Sequence, residues 1–178
     1  TVPGTVGGAV YGNAGAFDGD MAGNLIYAEL LTENGRERWP VEKMEYGYRT
    51  SALKRSTLKF VILAAELRLS HSTKEAVRFK IGEFVSKRKS TQPPGASMGS
   101  MFKNPPDDFA GRLIEAAGLK GTRIGNAEIS AVHGNFFINH GDTKAGDIRK
   151  LIELAQKTVA EKFGVSLELE IEMIGEWK

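Results

Sequence analysis

The 178-residue chain contains no cysteine, which excludes disulfides, thiolate metal sites and thiol nucleophiles. It has no apolar run near the ~18 residues a membrane-spanning helix needs, and nothing at its start reads as a secretory signal. The expectation is therefore a soluble, cytoplasmic protein. A net charge of only +2 leaves no overall electrostatic footprint for nucleic acid, although a local basic cluster would suffice for a small anion. The three histidines fall in no metal-ligand spacing, so no metal is expected. Thr1 is not an initiator, and the chain opens directly into a glycine-rich stretch, which reads as a fragment or a trimmed product. Hydrophobic content of 41% and charged content of 26% are ordinary for one or two globular domains.

What the chain does have is a stretch from Gly4 to Gly15, GTVGGAVYGNAG, with five glycines and no charge before Asp18. Such a cluster implies backbone at positive φ or in close approach to a ligand. A loop whose amides line a phosphate-bearing cofactor has that need. No Gly-Lys-Ser/Thr closes it and the GxGxxG spacing is absent, so a glycine-rich turn region between short strands is the alternative.

Asn24 to Thr32 reads as a strand followed by a polar turn at NGRER, and Lys59 to Leu69 as a buried strand. Ser72-Thr73-Lys74-Glu75 starts a helix running to about Lys89, with Val77, Ile81 and Phe84 on its apolar face. Thr91 to Gly95 is the expected domain junction. Phe109 to Ala117 is a short helix ended by Gly118, and Glu128 to Val132 and Asn135 to Asn139 are short strands. Thr143 to Phe163 is the longest helix, closed by Gly164. Val165 to Ile174 alternates apolar and polar residues as a final strand would.

Individual polar residues admit two readings each. Arg49, in YGYRTS, is either a stacked surface arginine or a partner for a carboxylate or phosphate. Ser100 is a turn residue or, with Lys103 and Asn104, part of a loop bearing a hydroxyl, an ammonium and an amide. Glu170 is one of three glutamates on a solvated face unless a site covers that face, and His133 is either structural or a ligand contact.

Together, VPGTVGGAVYGNAGA, YGYRTS, GASMGSMFKNP, AGRLIEAAGLKGTRIGNAEIS, HGNFFIN and LELEIEMIGEW, in that order, closely resemble the bacterial UDP-N-acetylenolpyruvoylglucosamine reductases along essentially the whole chain. The resemblance implies an α+β chain: the second half of a vanillyl-alcohol-oxidase-like FAD-binding fold (1–89 and 164–178) plus a C-terminal substrate-binding domain (90–163). The family's first FAD-binding domain precedes this segment. The spacing between GSMFKNPP and GLKG resembles the shorter subtype. The implied activity is NADPH-dependent, FAD-mediated reduction of a UDP-sugar enolpyruvyl ether in peptidoglycan synthesis.

By resemblance, Arg49, Ser100 and Glu170 are catalytic. Val2, Pro3, Gly4, Thr5, Val6, Gly7, Gly8, Asn13 and Gly15 meet FAD, and Phe17, Arg88, Lys103, Asn104, Lys120 and His133 meet substrate. Phe17 stands where tyrosine is frequent, and Asp18 where glycine is common. A diphosphate-gripping lysine of some members falls near Thr91, which shifts that task to Arg88, Lys103 or Lys120. Two readings stay open beside this one: another flavoprotein of the same superfamily, and a non-catalytic fragment that binds UDP-sugar.

Overall fold

The computed structural model describes residues 4–177, so Val2 and Pro3 lie outside the described residues. The chain divides into two compact units, Thr1–Arg78 and Phe79–Lys178. This division falls inside a helix.

The first unit contains α1 (Val6–Gly12), β1 (Gly15–Ala16), β2 (Gly19–Asp20), β3 (Leu25–Thr32), β4 (Gly35–Pro40), a 3-10 turn (Val41–Met44), α2 (Ala52–Arg55) and β5 (Phe60–Leu67). Its three-stranded antiparallel sheet runs β4-β3-β5, and β1 pairs with β2 as a hairpin. The central strand β3 buries Leu25, Ala28 and Leu30, which join Val10, Met44 and Leu53 in the core.

Contrary to the expected loop, part of the glycine-rich stretch is helical, and neighbouring groups explain why. Thr5 Oγ1 accepts the Gly8 amide at 3.0 Å, and Asn13 ends the helix in the left-handed region at φ +48°. Helix ends leave carbonyls without intrahelical partners. Here the Tyr46 hydroxyl donates to Val10 O at 2.8 Å, and the Ser51 hydroxyl to Tyr11 O at 2.6 Å. Burial raises the pKa of Tyr46 and so keeps that hydroxyl protonated as a donor. These bonds and the burial of Val10 outweigh the entropy that three helical glycines cost.

Strand β5 forms as expected but is not buried: it is an edge of the sheet, with Val61 57% and Leu63 42% exposed. Helix α3 (Lys74–Thr91) starts where the sequence places it, with Thr73 Oγ1 accepting the Ala76 amide at 3.2 Å. None of its residues is buried, so the apolar face expected to pack inward lies open at Val77 and Ile81.

The second unit, beyond α3, comprises β6 (Ala96–Ser100), α4 (Ala110–Ala116), β7 (Arg123–Ile124), β8 (Ala127–Ile129), β9 (Phe136–Asn139) and α5 (Ala145–Phe163). The antiparallel sheet order is β6-β9-β8-β7. Helix α5 buries Leu151, Ile152, Ala155 and Val159 along one stripe and stops at Gly164, φ +69°. The stripe meets Leu113 and Ile114 of α4 and Ile129 and Phe137 of the sheet. Lys162 Nζ donates to Ala117 O at 2.8 Å, supplying a partner at the end of α4.

The expected last strand is absent apart from one bridge, Phe102 with Leu169. The segment is held by backbone bonds, among them Lys103 N to Glu168 O at 2.8 Å and Glu170 N to Met101 O at 3.0 Å. Leu167 is buried among the core residues of the second unit. By packing, residues 164–177 lie in the second unit.

Ser51 is fully buried and also caps α2, accepting the Lys54 amide at 3.1 Å. Ser51→Ala is expected to lower stability by about 2 kcal/mol, through the lost cap and the unpaired Tyr11 carbonyl. A urea midpoint shift checks this; a change below about 0.5 kcal/mol contradicts the proposed role of these bonds.

Candidate active site

Two clefts carry the candidate residues, one in each unit. The first, about 510 Å³, is lined by Gly4, Thr5, Gly8 and Ala9 at the head of α1, Ala14 to Ala16 and Gly19 to Met21 at the hairpin, and Asn24. A Cβ on Gly4 would meet nothing within 4 Å, and one on Gly8 would meet only Thr5 Oγ1 at 3.4 Å. The backbone there is therefore open to close approach by a ligand. Of the expected cofactor contacts, Gly4, Thr5, Gly8 and Gly15 line this cleft, while Val6, Gly7 and Asn13 do not.

Asn13 is buried, and its side chain is engaged within the unit. Its Nδ2 donates to Asp20 Oδ2 at 3.2 Å and to Gly47 O at 3.0 Å, and its Oδ1 accepts the Ala22 amide at 3.0 Å. It fixes the hairpin to the turn that carries Arg49. Arg49 sits in that turn at φ +57°, 5.3 Å from the Tyr48 ring centroid, with Nη1 3.4 Å from the ideal Cβ position of Gly15. The arginine thus borders the glycine cleft. Phe17 and Asp18 form the hairpin turn at φ +51° and +63°, which explains physically why glycine suits position 18.

The second cleft, about 380 Å³, brings together three residues singled out from the sequence, Ser100, Asn104 and His133. Ser100 ends β6 after a register shift: Ser97 opposes Ile138 and Ser100 opposes Phe136, so β6 carries one extra residue. Gly99, at φ +82°, accommodates this bulge, and such bulges re-aim the next side chain. Asn104 Oδ1 accepts the Ala110 amide at 3.1 Å, tying the loop to the first turn of α4. The His133 loop is set by Ser130 Oγ, which accepts the amides of Val132 and His133 at 3.0 and 3.3 Å.

His133 packs edge-on to Phe136 at 5.0 Å, and its Nδ1 accepts the Asn135 amide at 3.2 Å. The neutral ring therefore carries its proton on Nε2. Gly111 permits this approach, since a Cβ there would lie 2.7 Å from His133 Cε1. Burial, and secondarily the Lys120 charge, lower the His133 pKa below its usual 6.5.

Sequence reasoning missed Asn135, Arg112 and Glu115, which line the same cleft. An asparagine directly before the apolar run FFI was the available signal for Asn135. Arg112 pairs with Asp108 and draws that carboxyl down to about 2, with help from the Phe109 amide. Two expected anion-binding lysines are paired: Lys103 with Glu168, and Lys120 with Glu115 at 3.1 Å. Arg88 lies on α3, outside the lining of this cleft. Glu170 is half-buried beside Met101, bound through its amide. Among the described residues no group of three His, Cys, Asp or Glu could hold a metal, and no helix is long and apolar enough to cross a membrane.

Residues 90–174 match the family described as UDP-N-acetylenolpyruvoylglucosamine reductase, C-terminal domain. Through this domain the chain is similar to the UDP-N-acetylenolpyruvoylglucosamine reductases. It is 53% identical to the UDP-N-acetylenolpyruvoylglucosamine reductase of Chloroflexus aggregans, the match covering 97% of this chain and 60% of the relative. It is 51% identical to that of Caldicellulosiruptor bescii, covering 99% and 57%. The crystal structure of the Thermus caldophilus reductase superimposes with a TM-score of 0.83 at 38% identity, over 96% of this chain and 60% of that one. The chain thus spans about 60% of the length of these reductases.

Because the pKa of His133 is lower in the folded state than in the unfolded one, the unfolded state binds more protons as pH falls through 6.5. His133 therefore costs no stability well above pH 6.5 and an increasing amount below it. An NMR titration of the His133 ring is expected to give a midpoint below 6.5, and His133→Gln is expected to flatten the fall in Tm below that pH. A midpoint at or above 6.5 contradicts the assignment.

Proposed function

We propose that the chain is the substrate-binding domain and the second half of the FAD site of a bacterial UDP-N-acetylmuramate dehydrogenase of the shorter subtype. Such an enzyme reduces UDP-N-acetylglucosamine enolpyruvate in cytoplasmic peptidoglycan synthesis, and so contributes to cell wall biogenesis, cell shape and cell division. The functional division assigns 1–89 and 164–178 to flavin and 90–163 to the UDP-sugar. The observation that carries the reading is the gathering of Ser100, Asn104 and His133 in one cleft of the segment that matches this family's C-terminal domain.

The glycine cleft fits a flavin with its phosphates, because Gly4 and Gly8 leave open the space that side chains would fill. Gly4, Thr5, Gly8 and Gly15 would hold it, with Val2, Pro3, Val6 and Gly7 in the same segment; Asn13 serves by fixing the hairpin. When bound, the flavin supplies hydride chemistry, with electrons drawn from NADPH.

Arrival of hydride at the terminal carbon of the enolpyruvyl group turns that methylene into a methyl and leaves an electron pair on the adjacent carbon, spread into the carboxylate. Arg49 binds the carboxylate and stabilises the developing enolate. Glu170 is the partner of Arg49 in polarising that carboxylate. The Ser100 hydroxyl proton goes to the carbanionic carbon, and the serine alkoxide recovers a proton from water. A serine is a weak acid, so this step depends on alignment and on exclusion of competing water. Phe17, Arg88, Lys103, Asn104, Lys120 and His133 are the proposed contacts of the UDP-sugar. Lys103 and Lys120 would have to exchange Glu168 and Glu115 for the diphosphate.

A polypeptide of the relatives' full length carrying this sequence tests the reading. Ser100→Ala is expected to leave flavin reduction by NADPH intact while slowing reoxidation by the enolpyruvyl substrate by about three orders of magnitude, the scale of general acid catalysis. Glu170→Gln is expected to lower kcat far more than it raises KM. Equal loss of both half-reactions in Ser100→Ala contradicts the proton-donor assignment. In the 178-residue chain itself, a visible flavin band retained after desalting supports the glycine cleft as a cofactor site. A colourless protein assigns flavin retention to the part of the reductase that this chain does not span.

A further inference from the structure

Asn135 is 3% exposed, and its carboxamide bonds the Phe102 backbone on both sides. Oδ1 accepts the Phe102 amide at 2.9 Å, and Nδ2 donates to the Phe102 carbonyl at 2.8 Å. Its own carbonyl accepts the Met101 amide at 2.8 Å. One residue therefore satisfies both polar groups of Phe102 and the amide of Met101, as a neighbouring strand would.

These peptides lie between two residues assigned to the chemistry. Ser100 directly precedes Met101. The Met101 carbonyl in turn accepts the Glu170 amide at 3.0 Å, and the Lys103 amide donates to Glu168 O at 2.8 Å. The β6–β9 ladder passes the bulge and has Ser100 opposite Phe136 as its last pair. Beyond that pair, Asn135 holds the Met101 amide and both polar groups of Phe102, while Met101 O and Lys103 N pair with Glu170 N and Glu168 O.

We propose that Asn135 is a positioning residue for the reduction, setting the place of the Ser100 hydroxyl relative to the Glu170 carboxyl through its grip on Phe102. This rests on the reading of Ser100 as proton donor. Asn135 does not deliver a proton itself; both ends of its amide are committed to the backbone. Its geometry needs an acceptor and a donor side by side, which a neutral carboxyl also provides and a carboxylate does not. A carboxylate at this position would face the Phe102 carbonyl with no proton to give. Burial would also raise its pKa, bringing the switch between the two forms into a measurable range.

Asn135→Asp and Asn135→Leu, in the full-length polypeptide reconstituted with FAD, test this beside Ser100→Ala. Asn135→Asp is expected to reduce flavin normally with NADPH. At neutral pH its reoxidation by substrate should slow at least tenfold, with substrate affinity changed less than threefold. The rate should recover as pH is lowered through the carboxyl pKa, while Asn135→Leu should remain slow at every pH. In the 178-residue chain without cofactor, the Ser100 amide resonance of Asn135→Asp should shift at neutral pH and return on acidification. Folded variants that reoxidise at the wild-type rate, with Ser100→Ala slow, overturn the positioning role alone. A Ser100→Ala enzyme that reoxidises normally overturns the underlying proton-donor reading. Should Asn135→Leu fail to fold, the pH response of Asn135→Asp decides: recovery on acidification supports the proposal, and a slow rate independent of pH overturns it.

Discussion

Buried backbone amides and carbonyls must be paired, and both functional segments of this chain run where regular strand pairing is short or interrupted. Each unit meets the constraint with a buried asparagine. Asn13 joins α1, the hairpin and the Gly47 turn through three side-chain bonds, and Asn135 grips Phe102 and Met101. A carboxamide suits the task because it offers an acceptor and a donor in the geometry of a peptide group. Leaving such groups unpaired would cost roughly 1–3 kcal/mol each. The irregular shape of both clefts therefore rests on these two side chains.

From that constraint the site follows locally. Gly99 lets β6 bulge, Ser100 forms the last ladder pair beyond the bulge, and Asn135 holds both polar groups of Phe102 just after it. Asn104 then ties the loop to α4, and Gly111 lets α4 approach the His133 ring. In the first unit, Asn13 brings the Arg49 turn to the hairpin, so the guanidinium lies against Gly15. The side chains assigned to chemistry sit at strand ends and turns, where backbone held by other residues can aim them.

The elements legible from sequence are those whose apolar period and caps agree. Helix α5 shows a buried stripe and a glycine stop, and β3 shows alternation ended by a turn. Helix α1 was illegible because glycine propensity argues for a loop, while the bonds from Tyr46 and Ser51 that favour a helix come from 36 and 40 residues away. The alternation of residues 165–174 was read as a strand. The segment instead packs Leu167 into the core and exposes Glu168, with a single bridge at Leu169 rather than a strand. For β5 and α3, apolar content suggested burial, yet an edge position and an open helix face depend on packing that period alone does not reveal. Ser100, Asn104 and His133 were legible as candidates because loops concentrate their polar groups. Asn135 was less so, because a side chain that bonds only backbone leaves no signal beyond its place directly before the apolar run FFI.

Native-state hydrogen exchange of the Phe102 amide tests the central claim most directly. If Asn135 replaces a strand, this amide exchanges only when the second unit opens as a whole, as slowly as the most protected amides of β9. Exchange as fast as that of an exposed loop amide such as Gly95 would mean that the carboxamide does not hold the chain, and that the course of residues 100–104 is set by something else.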